Sequence, residues 1–217
     1  MFRRVFCDIE TLPPPKETLA RFPKICDCNE EQFLRLALSS DYGRILAISV
    51  IIECDGKIIQ SGCLGRDRET RMFHLSEERL LRGFWRLLNG FDINRDLIIV
   101  FNGISFDLPF IYKRSIINRV RPSVMLPFTR YRSAPIFDVM LEWNKWDLRK
   151  YISLDELARI LGLKSSKEDG MDGSQVYDRF CAGAHEDLAE YCLADARVTR
   201  NIWYRMVYPE GPEPEGE

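Results

Sequence analysis

The stretch FCDIET, residues 6–11, decides the fold, because it reads as an apolar strand that nevertheless carries two carboxylates. Side chains of an extended strand alternate between its two faces, which places Asp8 and Glu10 on the same face. Burying an unpaired carboxylate is costly. Two alternatives follow: the strand lies at a sheet edge with one face in water, or a cation sits on both acids.

The bulk properties of the 217-residue chain are those of one globular domain with a sizeable core. Apolar residues make up 46% and charged residues 29%, which is the usual globular balance. No apolar run reaches the ~18 residues that span a bilayer, and acids from position 8 onward interrupt any signal-peptide core. We therefore expect one domain over residues 1–208, no membrane association and a cytoplasmic location. The acidic, Pro- and Gly-rich tail at residues 209–217 is predicted to be disordered.

The local distribution of charge is more informative than the net charge of −2 at pH 7. Residues 108–137 contain no acid but six Lys or Arg side chains with interleaved aromatic residues. One interpretation is a solvated basic face. The other is a groove that follows a phosphate backbone and stacks bases on its aromatic rings, with Arg130 and Arg132 among its contacts.

The hydrophobic pattern along the chain predicts an α/β fold with a mixed sheet flanked by helices. Asp55-Gly56 between two β-branched runs is a strong hairpin signal. Strands are predicted at residues 4–10, 44–53, 57–64, 96–101 and 135–141, and helices at residues 30–38, 76–88, 109–118, 153–161 and 185–206.

The final predicted helix carries an acid inside an apolar stripe. Positions at helical spacing within residues 188–202 share one face, and its members are apolar or nearly so except for Asp195. Tyr191 lies one turn earlier, so the phenol and the carboxylate point the same way. The alternative is a core Asp whose carboxylate is satisfied by hydrogen bonds.

A further acid follows the buried strand predicted at residues 96–101. Asp107 lies just beyond the carboxyl end of that strand, where open α/β sheets place their sites. The alternative for Asp107 is a helix N-cap ahead of Pro109.

Four acids on three separate elements point to a metal site. Without cations, a cluster of Asp8, Glu10, Asp107 and Asp195 would repel itself. Hard divalent ions with oxygen ligands remove both the repulsion and the desolvation cost, which favours Mg²⁺ or Mn²⁺ over zinc. Two such ions about 3.5–4 Å apart clamp a phosphate for in-line attack.

These residues carry a family resemblance. Asp8-Ile-Glu-Thr11, the run NGISFDLPFI at residues 102–111 and Tyr191-Cys-Leu-Ala-Asp195 resemble the three exonuclease motifs of the DEDD superfamily. A tyrosine four residues before the last Asp resembles the DEDDy branch. Residues 153–163, 170–176 and the final helix resemble stand-alone bacterial proteins related to the proofreading exonuclease domain of family-B DNA polymerases.

The resemblance implies a ribonuclease-H-like fold and 3′→5′ hydrolysis of single-stranded nucleic acid with a free 3′ end, DNA being favoured. It implies that Asp8, Glu10 and Asp195 hold one of two Mg²⁺ or Mn²⁺ ions, while Asp8 also reaches the second. Asp107 would reach this second ion directly or through water. Tyr191 would orient the attacking water alongside Glu10, since a phenol with a pKa near 10 is a poor base at pH 7.

The resemblance also suggests substrate contacts. Phe106 and Leu12 would wedge against the terminal bases, although core packing is the alternative for Phe106. Thr11 and Asn102 would position the 3′ end. Two other functions stay open: an exoribonuclease like ribonuclease D, and a nucleic-acid-binding module without activity. Residues 13–43 match nothing in the family pattern.

Overall fold

The computed structural model describes residues 2–23, 25–67, 69–73, 76–166 and 173–210. At its centre lies a five-stranded mixed sheet with the order β3-β2-β1-β4-β5. The strands are β1 (Arg3–Leu12), β2 (Arg44–Cys54), β3 (Lys57–Leu64), β4 (Leu97–Val100) and β5 (Ile136–Asp138). The first three are antiparallel neighbours, and β4 and β5 run parallel to β1. The predicted α/β fold with a mixed sheet is thereby confirmed.

The FCDIET strand lies in the middle of the sheet, with β2 on one side and β4 on the other. Val5, Cys7 and Ile9 belong to the core cluster on one face, and Phe6 belongs to the cluster on the opposite face. The strand is therefore interior over Arg4–Phe6, whereas Asp8 and Glu10 lie beyond its last pair with β4, so the edge-strand alternative holds only locally, at the two acids.

Helices cover both faces of this sheet. The helices α3 and α4 pack on the face of Val5, and α5, α6 and α8 pack on the face of Phe6. Their bounds, with three shorter or peripheral helices included, are α1 (Lys16–Leu19), α2 (Glu30–Arg35), α3 (Glu77–Leu87), α4 (Asp107–Ile117), α5 (Val139–Trp143), α6 (Leu154–Ile160), α7 (Val176–Cys181) and α8 (His185–Val207).

Local signals in the sequence explain most element boundaries. Ser76 and Ser153 cap α3 and α6, because each side chain accepts a hydrogen bond from a backbone N–H of the first turn. The hairpin turn between β2 and β3 places both Asp55 and Gly56 at positive φ, as a two-residue hairpin requires. The predicted hairpin and the three long helices α3, α4 and α8 are confirmed.

The strand predicted at residues 135–141 is wrong beyond Asp138. The Asp138 carboxylate accepts a hydrogen bond from the Leu141 N–H at 3.1 Å and so caps a short helix, α5. The helix α7 was not predicted. Parts of two stretches singled out from the sequence lie outside the described residues: residues 170–172 of the stretch 170–176, and residues 211–217 of the tail. In the described ranges, no helix combines the length and the apolar character that crossing a bilayer requires.

Candidate active site

The two acids of β1 lie past the point where β4 ends. The last residue pair between these parallel strands joins Phe6 to Ile99. Asp8 and Glu10 follow it, and they keep only β2 as a strand neighbour, opposite Ser49 and Ala47. This offset opens a space at the carboxyl end of the parallel strands, which is where α/β sheets hold their ligands.

The helix α8 packs beside this space and supplies a third carboxylate, that of Asp195. Single carboxylate oxygens of Asp8, Glu10 and Asp195 all lie within 4.8 Å of one another. Glu10 and Asp195 are each only 9% exposed. Glu10 and Asp195, which are 185 positions apart in the chain, thus lie in one acidic cluster with Asp8. The sequence predicted that these three acids would come together.

Asp107 lies beside this three-carboxylate cluster and is tied to β1 through the backbone. Its Oδ1 accepts a hydrogen bond of 3.0 Å from the Ile9 N–H, in the part of β1 beyond its last pair with β4. The N-cap alternative for Asp107 is wrong, because Phe106 occupies the N-cap position and Asp107 is the first helical residue of α4.

A tight turn between β4 and α4 places Asp107. A side chain at Gly103 would put its Cβ 2.4 Å from the Val100 Cβ, so only glycine fits there. Asn102 has φ +54, a conformation that asparagine tolerates better than most residues. Asp138 accepts hydrogen bonds from the N–H groups of Asn102 (3.1 Å) and Ile104 (3.0 Å). Asp138 therefore shapes the turn.

Burial and mutual repulsion govern the charge of the acids. Burial raises the pKa of Asp8 well above its ordinary value, and the charges of Asp107, Asp195 and Glu10 raise it further. The pKa of Glu10 is raised in the same way, by burial and by Asp195 and Asp107. Burial also raises the pKa of Asp107 to about 7, partly opposed by the hydrogen bond from the Ile9 N–H. Protons or a bound cation therefore stabilise the cluster.

Tyr191 faces the same cluster from α8. Burial raises the pKa of its phenol, followed by the charges of Asp195, Glu10 and Asp8 and by its hydrogen bond with Asp195. The hydroxyl therefore stays protonated near neutral pH, where it can both donate and accept a hydrogen bond.

The donor set fits a hard divalent cation. All three clustered ligands are carboxylates, with a fourth carboxylate at Asp107 next to them. Oxygen ligands of this charge suit Mg²⁺ or Mn²⁺, whereas zinc sites in proteins are richer in His and Cys. A cation would also remove the repulsion that raises the pKa values of these acids.

The predicted substrate contacts differ in how accessible they are. Asn102 and Phe106 are half-buried, and the Phe106 ring packs against the Phe110 ring with 5.5 Å between centroids. Thr11 is 9% exposed. Leu12 is fully buried in the core cluster that joins β1 to β2 and α8. The prediction that the Leu12 side chain wedges against a terminal base is therefore corrected: that side chain belongs to the core.

The basic stretch at residues 108–137 divides into two parts. On α4, Lys113 pairs with Asp41 at 3.0 Å and Arg114 pairs with Glu77 at 2.7 Å, so these two cations serve the fold. Arg130 and Arg132 lie in the exposed segment between α4 and β5. Arg130 lines a groove that also contains residues of the turn before Asp107.

Two residues near the acids were not singled out from the sequence. Ser49 is fully buried opposite Asp8, and Cys63 is the next residue in the same row, opposite Ser49 on β3. Cys63 is half-buried in this row. The pairing register of the β2–β3 hairpin could have revealed this row.

The mixed sheet and the acid cluster at the end of its central strand define the class of ribonuclease-H-like proteins with a carboxylate site. Residues 31–212 match the protein family described as a predicted 3′-5′ exonuclease related to the exonuclease domain of PolB, and the chain belongs to this family. The matched residues include Asp107, Tyr191 and Asp195 but begin after Asp8 and Glu10. For those two acids the assignment therefore depends on the geometry described above.

A solved structure supports the same fold. The chain is similar to the family B DNA polymerase from the hyperthermophilic archaeon Pyrobaculum calidifontis, with a TM-score of 0.62 and 19% sequence identity. The similarity covers 95% of this chain and 24% of the polymerase, so the chain spans about a quarter of that protein's length. No curated protein matches the chain.

Proposed function

We propose that the chain hydrolyses phosphodiester bonds from the 3′ end of single-stranded nucleic acid, with DNA favoured over RNA. The observation that supports this proposal is the convergence of Asp8, Glu10 and Asp195 within 4.8 Å, at the carboxyl end of the parallel strands. Membership of a predicted 3′-5′ exonuclease family gives the direction of attack. The exonuclease domain would occupy residues 1–208.

In this proposal the four acids would hold two Mg²⁺ or Mn²⁺ ions. Asp8, Glu10 and Asp195 would hold one ion, and Asp8 and Asp107 would reach the other. Bound divalent ions lower the pKa of a water molecule and stabilise the charge that develops at phosphorus and on the leaving oxygen.

The remaining roles belong to side chains of the chain itself. The protonated Tyr191 hydroxyl orients the attacking water, and Glu10 shares this task from the opposite element, β1. Asn102 and Thr11 flank the acids and position the 3′ end of the substrate. Because Tyr191 and Asp195 lie one turn apart on α8, the water-orienting group and an ion ligand stay in fixed register.

Digestion of end-labelled single strands tests this proposal. DNA and RNA oligonucleotides labelled at either end are incubated with Mg²⁺, Mn²⁺ or EDTA, using wild type, Asp8→Ala and the control Asp187→Ala. Asp187 is an exposed acid on α8, outside the cluster. We expect stepwise shortening from the 3′ end that needs a divalent ion, survives in the control and is lost in Asp8→Ala.

Three outcomes would contradict parts of the proposal. Activity in EDTA or in Asp8→Ala would exclude the metal mechanism. Equal cleavage of strands blocked at either end would indicate an endonuclease. Faster digestion of RNA than of DNA would favour the ribonuclease D-like alternative over a DNA exonuclease.

A further inference from the structure

A groove lies next to the candidate active site and takes no part in the proposed chemistry. Its volume is about 380 Å³, within the range of about 300–1,000 Å³ that is typical of small-ligand sites. The residues that carry the argument line it from three segments of the chain: Ile104, Ser105, Phe128, Arg130, Trp146 and Leu148.

The groove is close in the chain to one of the four acids, Asp107. Ile104 and Ser105 form part of the turn that leads into Asp107, so the groove starts within three residues of an active-site acid. Three Cα–Cα steps span at most about 11 Å. If the 3′ end of a single-stranded nucleic acid lies among the acids, the nucleotides just upstream of that end are therefore within reach of the groove.

The chemistry of the groove suits a single-stranded polyanion. Phe128 and Leu148 are 42% and 58% exposed, and they present apolar surface to solvent beside Arg130. The segment from 108 to 137 contains no acid. Of the acids near the opposite wall, Glu142 accepts hydrogen bonds from Trp146 and from Ser133 of the facing loop, and Asp147 pairs with Arg149 at 2.9 Å. An aromatic ring next to an arginine is the usual platform for a stacked base and its phosphate.

The walls of the groove are held together by specific contacts. The Trp146 Nε1–H donates to Glu142 Oε1 at 3.0 Å, and the Ser133 hydroxyl donates to the same oxygen at 2.8 Å. The Tyr131 and Trp146 rings lie 5.5 Å apart. Both residues have φ above +60, a conformation that bulky L-residues rarely adopt and that tends to occur at functional sites. These contacts fix the loop at 128–133 against the segment at 142–148, so the two walls of the groove are preformed.

We propose that this groove binds the nucleotides upstream of the 3′-terminal one, with a base stacked on Phe128 and Leu148 and a backbone phosphate on Arg130. The inference rests on the proposed function, since it assumes a single strand whose 3′ end lies among the acids. It adds a specificity: the protein prefers strands long enough to fill the groove.

Length-dependent binding tests the groove separately from catalysis. Dissociation constants for single strands of two and eight nucleotides are measured by fluorescence anisotropy in EDTA, where the proposed hydrolysis stops. The variants are Phe128→Ala and Arg130→Gln. Matched controls are Ile160→Ala and Arg86→Gln, two exposed positions on α6 and α3. Phe128→Tyr keeps the ring, and thermal unfolding shows that every variant is folded.

We expect wild type to bind the longer strand more tightly. Phe128→Ala should weaken binding of the eight-nucleotide strand about 5- to 150-fold, the usual effect of losing one base–aromatic stack, and Phe128→Tyr should restore it. Arg130→Gln should reduce the salt dependence of binding by about one phosphate contact. The controls should bind as wild type does.

The inference is overturned if both groove variants bind the eight-nucleotide strand as tightly as wild type does. It is also overturned if sedimentation shows that Phe128→Ala converts a wild-type dimer to a monomer, because the groove is then an interface between copies of the chain. Failure of the proposed function looks different: wild type with Mn²⁺ then leaves every labelled strand intact, whatever the binding data show.

Discussion

The repulsion within the acid cluster leads to a prediction that needs no substrate. In the absence of divalent ions, Asp195→Asn should make the protein more stable, although Asp195 belongs to the proposed active site. Asn keeps the size of the side chain and can still accept a hydrogen bond from Tyr191, while it removes one negative charge from the cluster.

The expected gain follows from the geometry. Two carboxylate charges 4.8 Å apart repel by about 3.5 kcal/mol at an effective dielectric constant of 20. Asp195 faces two such partners, Asp8 and Glu10. Burial and repulsion raise the pKa values of both partners, so the gain is smaller than the sum of two full repulsions. We therefore expect a gain of about 1–3 kcal/mol, or roughly 3–10 °C in the unfolding midpoint.

The gain should depend on pH in a defined direction. The pKa of Asp107 is about 7 in the folded protein and about 4 when unfolded. A raised folded-state pKa adds stability below pH 4, and this stability is lost as the pH rises through 7. The metal-free wild type should therefore weaken as the pH rises from about 4 to about 7, and the advantage of Asp195→Asn should be largest above this range.

Thermal unfolding in EDTA and in Mn²⁺ measures this effect, with Asp187→Asn as the control. Asp187 lies on α8 as an exposed partner of Arg179, so its substitution should change stability by less than about 1 kcal/mol. Adding Mn²⁺ should stabilise wild type more than Asp195→Asn. Equal or lower stability of Asp195→Asn in EDTA at pH 8 would refute the reasoning, because Asp195 would then be held by attraction.

Three further predictions concern the surroundings of the cluster. Tyr191→Phe should lower turnover at least tenfold while the Mn²⁺-induced rise in unfolding midpoint persists; unchanged turnover would remove its proposed role. Asp138→Ala leaves three backbone N–H groups without their acceptor and should cost about 3 kcal/mol or more in urea unfolding. Arg200→Met removes the 2.6 Å partner of the buried Glu53 and leaves Arg4 at 3.3 Å to pair with it, so it should cost about 1–3 kcal/mol in urea unfolding; an unchanged stability would show that the Arg200 ion pair is dispensable.

Much of the fold follows from local signals in the sequence. Ser76 and Ser153 mark helix starts, and Asp55-Gly56 marks the hairpin, because capping and turn geometry depend on neighbouring residues only. The apolar stripe of α8 predicts which side of the helix is buried, and Asp195 stands out within it. The same reasoning predicts that Asp8 and Glu10 share one face of a strand.

Features that depend on distant contacts could not be predicted. Nothing within residues 135–141 shows that Asp138 also binds the turn before α4, which ends the strand and starts a helix. Leu12 looks like an exposed residue at the end of a strand, and only the approach of β2 and α8 buries it. The separation of Asp107 from the three clustered acids likewise depends on where the Ile9 N–H lies.

The helix α8 carries one acid that neighbouring charges repel and one arginine that a neighbouring charge attracts. Asp195 on α8 faces the β1 acids and is repelled by them, whereas Arg200 and Tyr204, further along the helix, bind the buried Glu53 of β2 at 2.6 and 2.7 Å. Asp195 and Arg200 are about 7.5 Å apart along the helix axis, so the attraction acts within two turns of the repulsion. Because Glu53 is fully buried, its bonds are poorly screened by solvent. The attraction therefore holds α8 against the sheet independently of any metal ion, and it keeps Asp195 beside the β1 acids despite their repulsion.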